Sequence, residues 1–290
     1  MSIRSWFRRE PPAPLILLSN REPFVHDWGP GGELVVTPPV GGLTSALQPV
    51  MARSGGTWVA WGSGPADFET TGPDDSIPVP PEWPTYHLRR IRLSDEERLG
   101  YYVRSANRVL WPLCHSHLRH VAFDPAAWKT YRRVNRRFAT AALEVAAGAT
   151  ATVWIHDYHL GYVAGALRET PRLLVHQFWH IPWPPPEVLR VLPAARSLLR
   201  ALLGNDLLVF QTERDVVNFM TCVADLLPEA VVSPRRSTVR FGHHRTTLRA
   251  HAISIDVAAF ERAAARADVQ QVARSLRRRY VTASAVIEGS

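Results

Sequence analysis

The chain has 290 residues, 46% hydrophobic and 21% charged, which gives length for a sizeable core and excludes a disordered segment. Its formal net charge of +8, nearly all of it arginine, favours anionic partners such as phosphorylated molecules. Two cysteines, Cys114 and Cys222, make no disulfide framework or four-ligand zinc pattern and are read as buried small hydrophobes; no run approaches the ~18 apolar residues of a membrane span, and "MSIRSWFRREPPAP" lacks the apolar core of a secretory signal, so a cytoplasmic protein is expected.

In chain order, "LILLSN" (15–20) predicts a short buried strand. Leu43, Ala46, Leu47, Val50 and Met51 follow helical spacing, and Pro49 is expected to kink or shorten that helix. "TWVAWGSG" (57–64) predicts a second strand, residues 65–85 a surface loop rich in Pro, Asp, Thr and Gly, and "YHLRRIRL" a third strand. Ser94 and Glu97 form a capping box. Asp124 and Pro125 read as N-cap and first residue of a helix closed by Gly148. Its apolar stripe is Trp128, Tyr131, Val134, Phe138 and Val145, and its wet face carries Arg132, Arg133, Arg136 and Arg137. Beyond it, "ATVWI" predicts a strand, "LGYVAGALRE" a helix, "RLLVHQF" a strand, "PAARSLLRALL" a helix, "NDLLVFQT" a strand and "ERDVVNFMTCVADLL" a helix. "TLRAHAISI" reads as a last strand and 257–280 as a last helix, while the basic stretch "RRSTVRFGHHRTTLR" (235–249) reads as a flexible loop.

Strands alternating with helices predict an α/β fold with a Rossmann-like, doubly wound parallel sheet, whose ligands collect outside the carboxyl ends of the strands. Those ends read "SNR" (19–21), "WGSG" (61–64), "HDYH" (156–159), "FWHIP" (178–182) and "FQTE" (210–213). The stretch "HQFWHIPWPPPE" (176–187) is too proline-rich for a helix interior or a central strand and reads as a stiff loop leaving a buried strand. His156 with His159, and His176 with His180, have spacings zinc can use on a helix. Their place at a strand-to-helix junction and inside an apolar strand argues against a metal, and none is expected. The basic stretch carries no recognised nucleic-acid motif, so neither nucleic acid nor membrane is expected as a partner.

"SNR", "GGL" (41–43), "YYVRSANRVLWP" (101–112), "VWIHDYHL" (153–160), "HIPWPPPE" (180–187) and "LLVFQTERDVVNF" (207–219) occur in that order. Together they resemble the N-terminal domain of the trehalose-6-phosphate synthases, retaining glycosyltransferases of family 20 with the GT-B fold. The resemblance implies transfer of glucose from UDP-glucose to glucose 6-phosphate, in trehalose biosynthesis, without a cofactor. It implies that Arg21, Tyr102, Trp111 and Asp157 bind the acceptor, that Gly41, Gly42 and His180 face the donor, and that Asp157 and His180 are catalytic. Ser105, Ala106, Ala252 and Ser254 depart from the family's pattern. Residues 1–14 are read as a tail, 15–255 as the acceptor-binding domain, and 256–290 as the start of a linker or truncated second domain. Because the family holds its donor nucleotide mainly with the second domain, this chain alone is expected to be incomplete for catalysis. A C-terminal GT-B domain in trans or a second copy of the chain are the partners this implies. The alternatives are a non-catalytic sugar-phosphate-binding subunit, or a transferase acting on glycerol phosphate or a pseudo-sugar phosphate.

Overall fold

The strands fall where buried apolar runs occur, and each is followed by the polar residues that end it. A computed structural model describes residues 13–37 and 41–280, so most of the expected tail (1–14) and the last ten residues lie outside the described part. The chain divides into two units, Met1–Ala252 and Ile253–Ser290. In the first, β1 (Leu15–Arg21) leads to a hairpin of β2 (Val25–Trp28) and β3 (Leu34–Thr37), then α1 (Gly42–Ser54), β4 (Thr57–Trp61), β5 (Ser76–Val79) and β6 (Tyr86–Ile91). A long helical stretch follows: α2 (Asp95–Arg98), a π-helical segment Leu99–Leu110, α3 (Trp111–Cys114) and α4 (Pro125–Ala146). Next come β7 (Ala151–His156), α5 (Val163–Leu167), β8 (Leu173–Trp179), α6 (Pro186–Leu189), α7 (Ala195–Leu202), β9 (Leu207–Phe210), α8 (Glu213–Leu226), β10 (Val231–Ser233), β11 (Thr238–Phe241) and β12 (His244–Ala250).

Ten strands form one sheet in the order β10-β11-β12-β9-β8-β7-β1-β4-β6-β5. From β6 across to β12 every pairing is parallel; β5 at one edge and the β10–β11 pair at the other are antiparallel. The order reverses at β1, which pairs with β4 on one side and β7 on the other. This is the doubly wound arrangement expected, and its switch point lies between β1 and β7. Both faces are covered, as a parallel sheet requires. Ile16 and Leu18 of β1 join a core with Tyr101, Phe138 and Val153, while Leu17 between them joins Leu47, Met51 and Trp58 on the opposite face.

Local signals explain several boundaries. The Ser94–Glu97 capping box is formed, and the Asp124 side chain accepts from the backbone of Ala126 and Ala127 with Pro125 as the first helical residue. Gly148, just beyond α4, has φ +75°, a left-handed conformation natural to glycine. Trp128, Tyr131, Val134 and Phe138 are buried, while Arg132, Arg133 and Arg136 are exposed. Both cysteines are buried.

Four expectations are corrected. Helix α1 continues past Pro49 to Ser54, held by buried Leu47 and Met51. The expected loop at 65–85 contains β5, an edge strand whose alternating Ile77 and Val79 pair with β6 and where Pro78 needs no second partner. The expected flexible loop at 235–249 is an ordered hairpin: Phe241 pairs with His244 across a two-residue turn in which Gly242 has φ +60°. The second unit holds α9 (Val257–Ala265) and α10 (Ala267–Tyr280) instead of one helix, because Arg266 between them is extended, with φ −61° and ψ 141°. Among the described residues, no helix is long and apolar enough to cross a membrane.

Candidate active site

The strand ends at the switch point bring together three of the six sequence elements. Arg21 ends β1, Tyr102 and Asn107 lie on the π-helical segment, and Asp157 to His159 follow β7. Arg21 Nη2 lies 3.4 Å from the Tyr102 hydroxyl, and the Tyr102 ring stacks on His159 at 5.5 Å and tilts toward Trp61 at 6.1 Å. The neighbouring Tyr101 hydroxyl donates to Asn20 at 2.8 Å, fixing this helix against the end of β1. Burial pushes the Tyr102 hydroxyl up, but hydrogen bonds with Asn107 and Arg21 outweigh it, and the net shift is downward.

The π-helix matters for this grouping. Its i→i+5 bonding brings residues five apart onto one side. Tyr102 and Asn107 have that spacing, as do Gly100 and Ser105, whose hydroxyl donates to the Gly100 carbonyl at 2.8 Å. Trp111, four beyond Asn107, continues along the helix and is exposed. Its ring stacks on His115 at 4.2 Å, and no ring contact joins it to Tyr102 among the described residues. Ser105 and Ala106, the departures from the family pattern, are both buried against the core.

Asp157 is the most constrained residue of the group. Its backbone has φ 72° and ψ 173°, a region nearly reserved for glycine that costs about 1–3 kcal/mol elsewhere. Its N–H donates to the Phe178 carbonyl at 2.7 Å, and its carboxylate accepts the His180 N–H at 3.2 Å. Burial raises its carboxyl to about 7, against backbone N–H bonds from Tyr158 and His180 that pull it down. His180 lies beyond β8, its ring stacked on Phe178 and its Nε2 3.0 Å from His156 Nδ1. The two imidazoles share one hydrogen between those nitrogens. Burial lowers His180 to about 4, and burial with the nearby Arg21 charge lowers His159 to about 3, so both rings are neutral at pH 7.

The proline loop is pinned as its composition suggests. Trp179 and Trp183 are buried and meet edge to face at 5.0 Å, and Trp183 packs on Phe219 at 5.0 Å. The Trp183 N–H donates to Asp215, and its carbonyl accepts from Asn218, both at 2.9 Å. The Gln211 side chain donates to the His180 carbonyl at 3.2 Å. Gly41 and Gly42 open α1, and among the described residues an added Cβ on Gly42 meets nothing within 4 Å.

Beside β1 lies a second buried group that the sequence reading missed. Glu22, His26, Asp67 and Arg90 are all buried. Arg90 Nε bonds Glu22 at 2.7 Å, and its Nη2 bonds the Phe24 carbonyl at 3.0 Å and Asp67 at 3.1 Å. Glu22 also accepts the Ser63 N–H at 2.7 Å, tying the end of β1 to the loop after β4. Burial and the adjacent Asp67 raise Glu22 to about 8; Asp67 is lowered because bonds from His26 and Glu22 and the Arg90 charge outweigh its burial. Arg90 is thus shared between two carboxyl groups, Glu22 held above and Asp67 below the ordinary carboxyl range.

Fold and site together define an α/β protein with polar side chains gathered at the switch point of a Rossmann-type sheet. The profile of glycosyltransferase family 20 matches residues 16–290, and the chain belongs to that family. A trehalose-6-phosphate synthase of Mycolicibacterium gilvum is 34% identical over 272 residues, which is 91% of this chain and 53% of the relative. The bifunctional trehalose-6-phosphate synthase/phosphatase of Thermoproteus tenax is 33% identical over 83% of this chain and 33% of its own length. Among solved structures, the E. coli enzyme bound with UDP-2-fluoro glucose superposes with a TM-score of 0.73 at 29% identity, covering 91% of this chain and 55% of that one. A Burkholderia xenovorans synthase in complex with glucose 6-phosphate gives 0.73 at 26%, with the same coverage. The chain therefore spans about half the length of the synthases of M. gilvum, E. coli and B. xenovorans that it matches, and its sheet corresponds to one half of their GT-B fold.

Proposed function

We propose that this chain forms the acceptor side of a trehalose-6-phosphate-synthase-type transfer, in which glucose passes from UDP-glucose to glucose 6-phosphate with retention. The observation that carries the reading is the chain of contacts from Arg21 to Tyr102, from the Tyr102 ring to His159, and from His159 Nδ1 to the strained, buried Asp157 at 3.8 Å. In this reading Arg21 and Tyr102 hold the acceptor phosphate through charge-assisted bonds. Trp111 flanks the sugar. The Asp157 carboxylate accepts a hydrogen bond from an acceptor hydroxyl near the reaction centre, and neutral His180 offers Nδ1 to the donor glucose. Gly41 and Gly42 let the donor diphosphate approach the N-terminus of α1. An oxocarbenium-like transfer depends on such fixed positions and fixed charge.

The test is calorimetric titration of glucose 6-phosphate, with glycerol 3-phosphate as the competing acceptor class. Arg21→Ala is expected to weaken glucose 6-phosphate about ten- to a hundredfold, the scale of one charge-assisted bond. Equal affinity in the variant contradicts the assignment. The relatives named above are about twice as long in three cases of four, so acceptor binding and transfer are separate questions. UDP release from UDP-glucose, measured on residues 1–290 in the same sample, separates a transferase from a sugar-phosphate-binding protein that does not transfer.

A further inference from the structure

We propose a second anion site, for a small phosphate ester, in the hollow between α4, α5 and α7. The hollow has a volume of about 360 Å³ and is lined by Arg132 and Arg136 of α4, Tyr162 and Gly165, and Ser197 and Arg200 of α7. None of these belongs to the strand-end group. Its size falls at the small end of ligand pockets.

The argument starts from how the arginines of α4 are spent. Arg133 and Arg137 both reach Glu97, at 3.5 and 2.7 Å. Arg132 and Arg136 have no carboxylate partner among the described residues, and Arg132 lies over the Tyr162 ring at 5.3 Å. These two are four apart on one helix, an arrangement of like charges that costs stability unless an anion intervenes. Arg200 adds a third guanidinium from the facing helix, with one of its nitrogens held by Glu229 at 2.7 Å. On the other side of Arg132 and Arg136 a second hollow of about 330 Å³ adds Lys129 and Arg133. The cationic ridge is thus open on both flanks.

The floor is built rather than incidental. An added Cβ on Gly165 would lie 2.9 Å from Ala201 Cα, so α5 and α7 are in backbone contact there. At one end the Tyr162 hydroxyl meets Ser197 Oγ at 2.6 Å, and Ser197 donates to the Ala194 carbonyl at 2.9 Å. Those hydroxyl hydrogens are used internally, so an occupant's anionic group must be met by the guanidinium groups. Planar forks with several donors suit phosphate oxygens.

The experiment uses the 290-residue chain carrying Arg21→Ala, which silences the strand-end anion contact, with inorganic phosphate and pyrophosphate as probes at fixed ionic strength. Saturable binding is expected, with amide shifts at Gly165, Ala166, Ser197 and Ala201. Adding Arg132→Gln or Arg136→Gln is expected to weaken it at least tenfold without lowering the melting temperature of the ligand-free chain, since both side chains are exposed and each replacement relieves a like-charge pair. No saturable binding, or equal binding with both arginines replaced, overturns the proposal. Tighter binding of a twelve-residue oligothymidylate than of pyrophosphate also overturns it, because that outcome assigns the ridge to nucleic acid.

Discussion

Two buried polar groups flank β1, and they are built on opposite terms. Glu22, His26, Asp67 and Arg90 satisfy one another: Arg90 bonds both Glu22 and Asp67, and Asp67 accepts the His26 N–H. Asp157, His159 and His180 do not. The Asp157 backbone is strained, its carboxyl is raised to about 7 by burial, and buried His159 Nε2 and His156 Nε2 have no hydrogen-bond partner among the described residues. A closed network is what a scaffold needs; an open one costs stability and is retained where a ligand completes it. The difference teaches which group to read as support and which as site.

The comparison breaks most visibly at Arg90. Arg90→Met leaves Asp67 buried without its cation, and a loss of about 3–5 kcal/mol in urea unfolding is expected, the scale for breaking a buried pair from one side. A loss below about 1 kcal/mol would mean that the network is not the support claimed here. The next effect has the opposite sign. Burial raises the Asp157 carboxyl of the folded chain to about 7, above its ordinary value of 3.8, so the folded chain holds that proton more tightly than the unfolded one. Its contribution is fully present below pH 4, is lost as pH rises toward 7, and is constant above. Asp157→Asn removes this dependence, so the variant's stability relative to the parent is expected to grow between pH 4 and 7 by a few kcal/mol and then level off. A difference that stays flat with pH contradicts the raised carboxyl. The smallest effect is at Tyr102, where removing the hydroxyl in Tyr102→Phe is expected to weaken glucose 6-phosphate about two- to tenfold, one neutral hydrogen bond, without moving the melting temperature. An unchanged affinity would remove Tyr102 from the phosphate site.

Much of this was legible in the sequence because parallel strands buried on both faces leave long apolar runs, and their ends stand out as polar breaks. "SNR", "HDYH" and "FWHIP" were found that way, and the structure sets Arg21, Asp157 and His180 at the ends of β1, β7 and β8. The edge strands were not legible. β5 carries Pro78 and is four residues long, and β11 hides its apolar Val239 among arginines, whereas the second half of β12 was read as a strand in "TLRAHAISI". The Gly–His pair at 242–243, between alternating residues, was the available turn signal. Asn107 was missed because its spacing from Tyr102 has meaning only in a π-helix, which composition does not announce. Arg90 was missed because a strand's alternation places it with Leu88, on a face where an arginine is admitted only with Glu22 and Asp67 arriving from elsewhere in the chain. His159, set aside as a metal ligand in the sequence, has no role assigned there, and its ring is stacked on Tyr102.

The central claim is that the strand-end group is held open, at a cost in stability, for a sugar phosphate. Thermal melting of the parent chain and of Asp157→Asn at pH 8, each with and without saturating glucose 6-phosphate, tests it most directly. The account predicts that the variant without ligand melts above the parent, and that glucose 6-phosphate raises the parent's melting temperature far more than the variant's. A variant that melts at or below the parent and keeps the full ligand-induced rise would contradict it.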